Sequence, residues 1–327
     1  MTWLVIGSNS FSGASFCRHL LKSGQEVIGT SRSEEVKLPF RPYGWGGHQA
    51  GFSFVQSDLN HDLDGMMALM DARKPRYVVN FAAQSMVGQS WDHPEDWMMT
   101  NVVSTTKLFE RLRHVDYMDR YVHITTPEVY GSTDGWADED TVFNPSTPYA
   151  VSRAAGDMSL LAYHKGYGLP MVMTRAANVY GEGQQLYRII PRAVMTALTG
   201  GTLELHGGGL SERSFIHMDD VSVATQMLAE TGEDGACYHI STDRLVTIRA
   251  LVEMILGELG VDFDSAVKIV GDRRGKDQSY LLSSTRMRAL GWDDTITLEE
   301  GVTRTIAWAR DHLEALEVAP QAYVHKP

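Results

Sequence analysis

Apolar runs alternate with amphipathic stretches along most of the chain. Apolar runs of strand length occur at residues 3–6, 26–30, 52–55, 77–81, 121–125, 171–174 and 238–240. Between them lie stretches with apolar positions at helical spacing, such as residues 101–113 and 149–165. Because parallel strands need crossover connections, usually helices, this alternation predicts an α/β fold with a doubly wound parallel sheet.

A turn of small residues joins the first predicted strand to the first predicted helix. It spans residues 7–13 and reads GSNSFSG. Small residues let the backbone approach a pyrophosphate, and the N-terminus of the following helix supplies N–H donors. We therefore expect a Rossmann-type site in which a dinucleotide is held by Gly7, Asn9, Ser10, Phe11 and Gly13.

The residues after the second and third strands indicate which dinucleotide binds. Ser31 and Arg32 stand where an acidic residue would accept the ribose hydroxyls of NAD. A hydroxyl and a guanidinium suit a 2′-phosphate instead, because arginine binds phosphate bidentately. Asp58, next to Leu59, is expected either to accept from the adenine amine or to cap the next helix. The sequence favours NADP, with NAD as the alternative.

Candidate reactive groups follow the fifth predicted strand and open a later helix. Thr126 and Glu128 lie in the segment TTPEVYG at residues 125–131, and Tyr149 precedes Arg153 by one helical turn. Residues four apart share one helix face. The positive charge of Arg153 favours phenolate, so we expect the pKa of Tyr149 to fall from about 10 and the phenol to act as a general base. Thr126 is expected to orient a substrate hydroxyl.

Composition narrows the classes of function. The net charge is −12, from 41 acidic and 29 basic residues, which opposes binding along a nucleic acid. Two cysteines, Cys17 and Cys237, are too few for a disulfide framework and predict buried thiols in a reducing cytoplasm. No apolar run approaches the ~18 residues of a membrane span, and the histidines share no metal-ligand spacing. We expect neither membrane insertion nor a metal.

Recognisable motifs become sparser after residue 177, which suggests a second, smaller lobe over the carboxyl edge of the sheet. We expect residues 1–177, with 212–241 returning to them, to form the dinucleotide-binding domain. Residues 178–211 and 242–327 would form the smaller lobe.

These segments resemble the extended short-chain dehydrogenases/reductases, in particular the nucleotide-sugar 4,6-dehydratase group with its dTDP-glucose and GDP-mannose enzymes. The similarity covers nearly the whole chain. The group's motifs are matched by FAAQSMV at residues 81–87, RAANVYG at 175–181, SERSFIHMDD at 211–220 and DRRGKD at 272–277.

The resemblance implies further contacts and an assembly. The cofactor would also be held by Phe81, Ala82, Ala83, Tyr149 and Arg153. A nucleotide hexose would be held, largely by the smaller lobe, through Ser85, Val87, Asn178, Arg188, Arg192, Arg213, Arg273 and Arg274. The two helical stretches at residues 101–113 and 149–165 would pair in a homodimer.

The resemblance also implies a reaction. Tyr149 would take the proton of the sugar 4-hydroxyl while hydride leaves C4, giving a 4-keto sugar with an acidic C5 proton. Glu128 would take that proton and protonate the departing 6-hydroxyl. The same hydride would return to C6, so a tightly bound cofactor is regenerated in each turnover.

Three residues depart from the group's pattern. Ser10 replaces a glycine, so the backbone there must avoid a positive φ. Pro127 stands where the dTDP-glucose enzymes carry a proton-donating aspartate, although the GDP-mannose enzymes have serine there and still dehydrate. Arg153 replaces a lysine, which keeps the charge but adds bulk and cannot relay a proton.

These departures leave three alternatives open. A nucleotide-sugar epimerase or decarboxylase on the same scaffold also begins with oxidation at C4. Decarboxylation would use an arginine such as Arg188, Arg192 or Arg213 beside a substrate carboxylate, whereas C4 epimerisation would not need Glu128. A non-catalytic nucleotide-binding module would explain the changes at Ser10 and Arg153.

Overall fold

The computed structural model describes residues 1–47, 50–133, 135–271 and 281–326. The strands, in chain order, are β1 (Thr2–Ile6), β2 (Glu26–Ser31), β3 (Phe52–Gln56), β4 (Tyr77–Asn80), β5 (Arg120–Thr125), β6 (Trp136–Ala137), β7 (Met171–Ala176), β8 (Asn178–Tyr180), β9 (Leu203–His206), β10 (Glu212–Arg213), β11 (Phe215–His217), β12 (Cys237–Ile240), β13 (Val246–Thr247), β14 (Val267–Val270) and β15 (Leu281–Leu282).

The helices, in chain order, are α1 (Phe11–Lys22), α2 (Leu63–Arg73), α3 (Pro94–Met98), α4 (Thr105–Leu112), α5 (Pro148–Tyr167), α6 (Ile189–Thr199), α7 (Met218–Thr231), α8 (Ile248–Glu258), α9 (Phe263–Ala266), α10 (Thr285–Ala289), α11 (Leu298–Asp311) and α12 (Leu313–Glu317). None of the helices in the described ranges is both long enough and apolar enough to cross a membrane.

The central sheet is parallel throughout and has the order β12-β7-β5-β4-β1-β2-β3. Each of the seven apolar runs in the sequence forms one of these strands, with ends that differ by a few residues at most. The doubly wound α/β fold is therefore confirmed. The carboxyl ends of neighbouring parallel strands meet at one edge, where such folds bind ligands.

Alternate side chains of β1 show how the two faces of the sheet are covered. Trp3 and Val5 lie in one buried cluster with α1 and α7, whereas Leu4 and Ile6 lie in another with α2, α4 and α5. Successive side chains of a strand point to opposite faces, so a strand that is apolar at every position is buried on both. All four side chains are at most 2% exposed.

The helical stretch predicted at residues 101–113 begins earlier than the apolar pattern indicated. It starts with α3, passes through a π-helical segment at Met99–Ser104 and continues as α4. Pro94 suits the first turn of α3, because an N–H there has no partner within the helix. Trp97 is fully buried on this turn.

A separate apolar cluster is built from residues after 179. It joins α6, α8, α11 and α12 through side chains such as Ile190, Leu251, Ile306 and Leu316. The loop before β3 packs onto it, since the indole of Trp308 donates to the carbonyl of Pro39 at 3.0 Å. The division into two lobes at the expected residues stays a prediction.

Candidate active site

Two adjoining cavities open at the carboxyl edge of the sheet. The first has a volume of about 720 Å³ and the second about 650 Å³. Both are lined by Ser10, Phe81, Ser85, Gln185 and Tyr187, so they lie next to each other. Together they can hold an elongated ligand whose two ends differ in chemistry.

The turn between β1 and α1 forms a cradle at the base of the second cavity. Gly7 has a φ of +86°, and a Cβ there would lie 2.7 Å from the backbone nitrogen of Ala82. A Cβ on Gly13 would lie 2.3 Å from the Gly7 carbonyl oxygen. Any side chain at Gly7 or Gly13 would therefore clash with the backbone. Glycine at both positions keeps the turn tight and leaves its backbone accessible to a pyrophosphate.

Ser10 adopts a φ of −73°, so its backbone avoids a positive φ, as expected for a residue that replaces glycine. Ser10 is also the N-cap of α1. Its hydroxyl accepts from the Gly13 N–H at 3.0 Å and donates to the Gly7 carbonyl at 2.7 Å. The buried Oδ1 of Asn9 has no hydrogen-bond partner in the structure and lies on a residue that lines the cavity. A buried acceptor of this kind normally has a partner, so the cradle fits a bound dinucleotide.

The second cavity is also lined by other residues that were expected to hold the cofactor. Ser31, Arg32, Asp58, Leu59, Ala82 and Ala83 all lie there. The Asn9 N–H donates to the Ser31 hydroxyl at 2.9 Å, while Asp58 Oδ1 accepts from the Asn60 N–H at 2.8 Å. Asp58 therefore shapes the loop after β3, and the N-cap of α2 is Asp62.

The first cavity brings together the groups expected to do chemistry. Thr126, Glu128 and Tyr149 all line it, beside Pro127. Thr126 is the N-cap of the short 3-10 turn Pro127–Tyr130, and its hydroxyl accepts from the Glu128 N–H at 3.3 Å. Tyr149 lies in the first turn of α5, whose N-cap Thr147 accepts from the Ala150 N–H.

The expected fall in the pKa of Tyr149 is wrong for the protein alone. Burial raises the pKa of Tyr149 and outweighs the Arg153 charge, which acts in the opposite direction. The charge of Glu128 raises this pKa further, whereas a hydrogen bond with Thr126 lowers it. The phenol is only 8% exposed, and desolvation disfavours its charged form.

Arg153 lies behind the reactive groups and lines neither cavity. It is 3% exposed, donates to the Ile124 carbonyl, and its buried Nε has no partner in the structure. Its charge acts on Tyr149, as the shared helix face predicted, but its expected contact with the cofactor stays a prediction.

A network of buried charged and polar side chains packs against the carboxyl end of β5. Asp157, which is fully buried, accepts from Arg175 at 2.8 Å and from the Thr125 hydroxyl at 3.0 Å. Arg175 also donates to the Tyr130 hydroxyl at 3.1 Å. Burial would raise the pKa of Asp157, yet Arg175 and His123 hold it below the usual value. The network joins α5 and β7 to the turn that carries Glu128.

Most of the expected substrate residues lie on the first cavity. Ser85, Asn178, Arg188, Arg192 and Arg213 line it. Val87 does not, because it lies at the start of a 3-10 turn where its carbonyl accepts from Ser90; its neighbour Met86 lines the cavity instead. Arg273 and Arg274 lie outside the described residues.

The cavities are also lined by residues that the sequence did not point to, and two groups of these matter most for the site. Gln184, Gln185 and Tyr187 precede α6 on the first cavity, close to the Asn-Val-Tyr-Gly motif that could have pointed to them. The second group comes from the last residues, since Tyr323, Val324 and Lys326 line the second cavity. No sequence motif marked these.

The described ranges hold no group of three or more His, Cys, Asp or Glu side chains placed to bind a metal ion. Cys17 and Cys237 are free and buried, as expected.

Comparison with known proteins places the chain in a family. The family model described as GDP-mannose 4,6 dehydratase matches residues 4–305. A dTDP-glucose 4,6-dehydratase of Streptomyces niveus is 33% identical over 324 residues, covering 95% of this chain and 94% of the relative. A trifunctional UDP-glucose 4,6-dehydratase of Arabidopsis thaliana is 31% identical over 266 residues, covering 80% of this chain. The chain spans about 40% of the length of that plant relative.

Solved structures agree with this placement. A dTDP-glucose 4,6-dehydratase of Streptomyces venezuelae, solved with NAD bound, has a TM-score of 0.88 and 33% identity, covering 97% of this chain and 99% of that one. A UDP-glucose 4-epimerase of Thermotoga maritima with UDP-glucose has a TM-score of 0.86 and 25% identity, covering 96% and 100%. The chain belongs to the GDP-mannose 4,6-dehydratase family, within the nucleotide-sugar 4,6-dehydratase group of extended short-chain dehydrogenases/reductases.

Proposed function

We propose that the protein is a nucleotide-sugar 4,6-dehydratase that acts through a 4-keto sugar. The observation that carries this proposal is the placement of Thr126, Glu128 and Tyr149 on one cavity that adjoins the dinucleotide cradle, because Ser10 of the cradle lines both cavities. Tyr149, a base for a sugar hydroxyl, and Glu128, a carboxylate that can remove a proton from carbon, thus lie beside the site proposed for the nicotinamide. The dTDP-glucose 4,6-dehydratase relatives support the same reaction.

Each residue has a defined task in this reaction. When bound, the nicotinamide would accept hydride from C4 of the hexose and return it to C6. Tyr149 takes the proton of the 4-hydroxyl, which Thr126 orients. Positive charge from Arg153 opposes the effect of burial on the phenol, and an oxidised nicotinamide, when bound, would add to it.

Glu128 performs elimination on its own. Its carboxylate takes the C5 proton, and the resulting acid gives a proton to the departing 6-hydroxyl, so one water leaves. Once hydride is back on C6, a solvent proton passed through Glu128 restores the C5–H bond, and the proton that Tyr149 took returns to solvent. Pro127 has no proton to donate, which leaves Glu128 as the carboxyl group in its turn. The arginines that line the cavity, Arg188, Arg192 and Arg213, supply charge for the diphosphate of a nucleotide hexose.

Replacing Glu128 separates dehydration from C4 epimerisation. In Glu128→Gln we expect formation of the 4-keto-6-deoxy sugar to fall by roughly 10²-fold or more, because no base removes the C5 proton. The assay is the ultraviolet absorbance that a 4-keto sugar develops in alkali, over a panel of nucleotide hexoses. The exposed Glu314→Gln serves as the matched control and should retain the wild-type rate. A wild-type rate of 4-keto-6-deoxy sugar formation in Glu128→Gln would remove Glu128 from the elimination. Full consumption of the hexose without that absorbance, in both the wild type and the variant, would favour C4 epimerisation instead.

NADP is the dinucleotide that we propose. Among the described residues that line the second cavity, three are cations, Arg32, Lys37 and Lys326, and one is a carboxylate, Asp58. Cations suit a 2′-phosphate, although the Streptomyces venezuelae structure holds NAD. Mass spectrometry of nucleotides released on denaturation is expected to give NADP in excess; NAD in excess would contradict the assignment.

A homodimer through α4 and α5 completes the proposal. α5 exposes Val151 (41%) and Met158 (61%), which are seven residues apart and share one helix face. Val103, just before α4, is 40% exposed. Exposed apolar side chains on adjacent helices suit a self-complementary interface.

A further inference from the structure

Residues 319–326, here called the strap, cross the second cavity. The strap lines it through Ala319, Pro320, Ala322, Tyr323, Val324 and Lys326. The same cavity is lined by Gly7 and Asn9 of the pyrophosphate cradle. The strap therefore shares the cavity in which a dinucleotide fits.

The end of the strap bridges two sides of that cavity. The carbonyl of Lys326 accepts from the Arg32 guanidinium at 3.0 Å and from the Gln84 side-chain amide at 2.7 Å. Arg32 follows β2 and Gln84 lies beyond β4, and these two strands flank β1 in the sheet. Since the cradle follows β1, one carbonyl is held from both sides of the cradle.

A second anchor fixes His325 against α3. Its imidazole stacks on the rings of His93, with centroids 4.9 Å apart, and Trp97, at 5.1 Å. Its Nε2 lies 2.6 Å from the Asp96 carboxylate. Stacking and a polar contact together define one position for this side chain.

Tyr323 adds a third anchor at the junction of the cavities. Its ring meets Tyr187 edge to face, with centroids 5.7 Å apart and an angle of 81°. Tyr187 lines both cavities. The strap is thus attached to three separate parts of the molecule around the dinucleotide site.

We propose that the strap retains the dinucleotide, which binds beneath it and leaves only after the strap has lifted. The proposal rests on the dinucleotide site of the proposed function. A dehydratase that restores its cofactor in every turnover has no need to exchange it, and loss of the reduced form would stop the enzyme. Because the anchors must break before release, they act on the dissociation rate.

The test measures dinucleotide release rather than turnover. Purified protein is loaded with NADP, or with NAD if that is the form released on denaturation, and chased with an excess of a fluorescent dinucleotide analogue. The variants are His325→Ala and a chain that stops after Pro320, which keeps Ala319 in its buried cluster. His114→Ala, an exposed histidine on neither cavity, is the matched control.

We expect release to be 10- to 100-fold faster in both strap variants and unchanged in His114→Ala. The fraction of protein that co-purifies with dinucleotide should fall in parallel. Wild-type release rates in both strap variants, or slower release, would overturn the retention role while leaving the dehydratase proposal intact. A wild-type protein that binds neither dinucleotide would overturn both.

Discussion

Tyr149→Phe is expected to lower kcat for formation of the 4-keto-6-deoxy sugar by roughly 10²- to 10⁴-fold, the usual contribution of a positioned general base. The change removes only the hydroxyl, and the ring stays in its buried place in the first turn of α5. Dinucleotide binding should therefore persist. Steady-state kinetics on the hexose that the wild type accepts best would measure the effect.

Tyr167→Phe provides the control for this experiment. Tyr167 ends the same helix, is 62% exposed and lines neither cavity, so its turnover should equal that of the wild type. A Tyr149→Phe enzyme within threefold of the wild-type kcat would remove Tyr149 from the reaction and transfer the role of base to another group.

Asp157→Asn is expected to lower the free energy of unfolding by about 3–5 kcal/mol, which is the cost of removing one partner of a buried ion pair and leaving the other charge unpaired. Arg175 is 1% exposed, and the substitution would leave its charge uncompensated beside Tyr130. Thermal or urea unfolding followed by circular dichroism would measure the loss.

Two further variants isolate the buried charge as the cause. Asp64→Asn removes a carboxylate that is 93% exposed and paired with Arg111, and should cost no more than about 1 kcal/mol. Asp157→Asn combined with Arg175→Met should recover part of the loss, because no unpaired charge remains. If Asp157→Asn destabilised the protein no more than Asp64→Asn, the network would not support the turn that carries Glu128.

The sequence predicted the sheet well because its strands are local apolar runs buried on both faces. Trp3 to Ile6 illustrate this, since all four side chains are enclosed and the Gly7 turn follows at once. Motif spacing likewise placed Thr126, Glu128 and Tyr149 at one edge, because the carboxyl ends of parallel strands converge.

Properties that depend on packing between residues far apart in the chain could not be predicted from the sequence. The spacing of Tyr149 and Arg153 correctly predicted that the arginine charge lowers the pKa of Tyr149. It could not predict the burial of the phenol, which raises that pKa by more. The strap was missed because its contacts join residues 294 and 242 positions apart, and nothing local to Lys326 specifies them. Arg153 could be assigned to a helix face, but its turn towards the Ile124 carbonyl depends on how α5 packs on β5.

Deuterium tracing tests the proposed dehydratase most directly. A nucleotide hexose labelled with deuterium at C4, of the kind that the wild type accepts, is incubated with the dinucleotide-loaded protein, and the product is analysed by mass spectrometry and NMR. For a dehydratase we expect a product that has lost one water and carries the deuterium at C6, with none passed to added dinucleotide. A product that keeps its 6-hydroxyl and its deuterium at C4 with inverted configuration would contradict it.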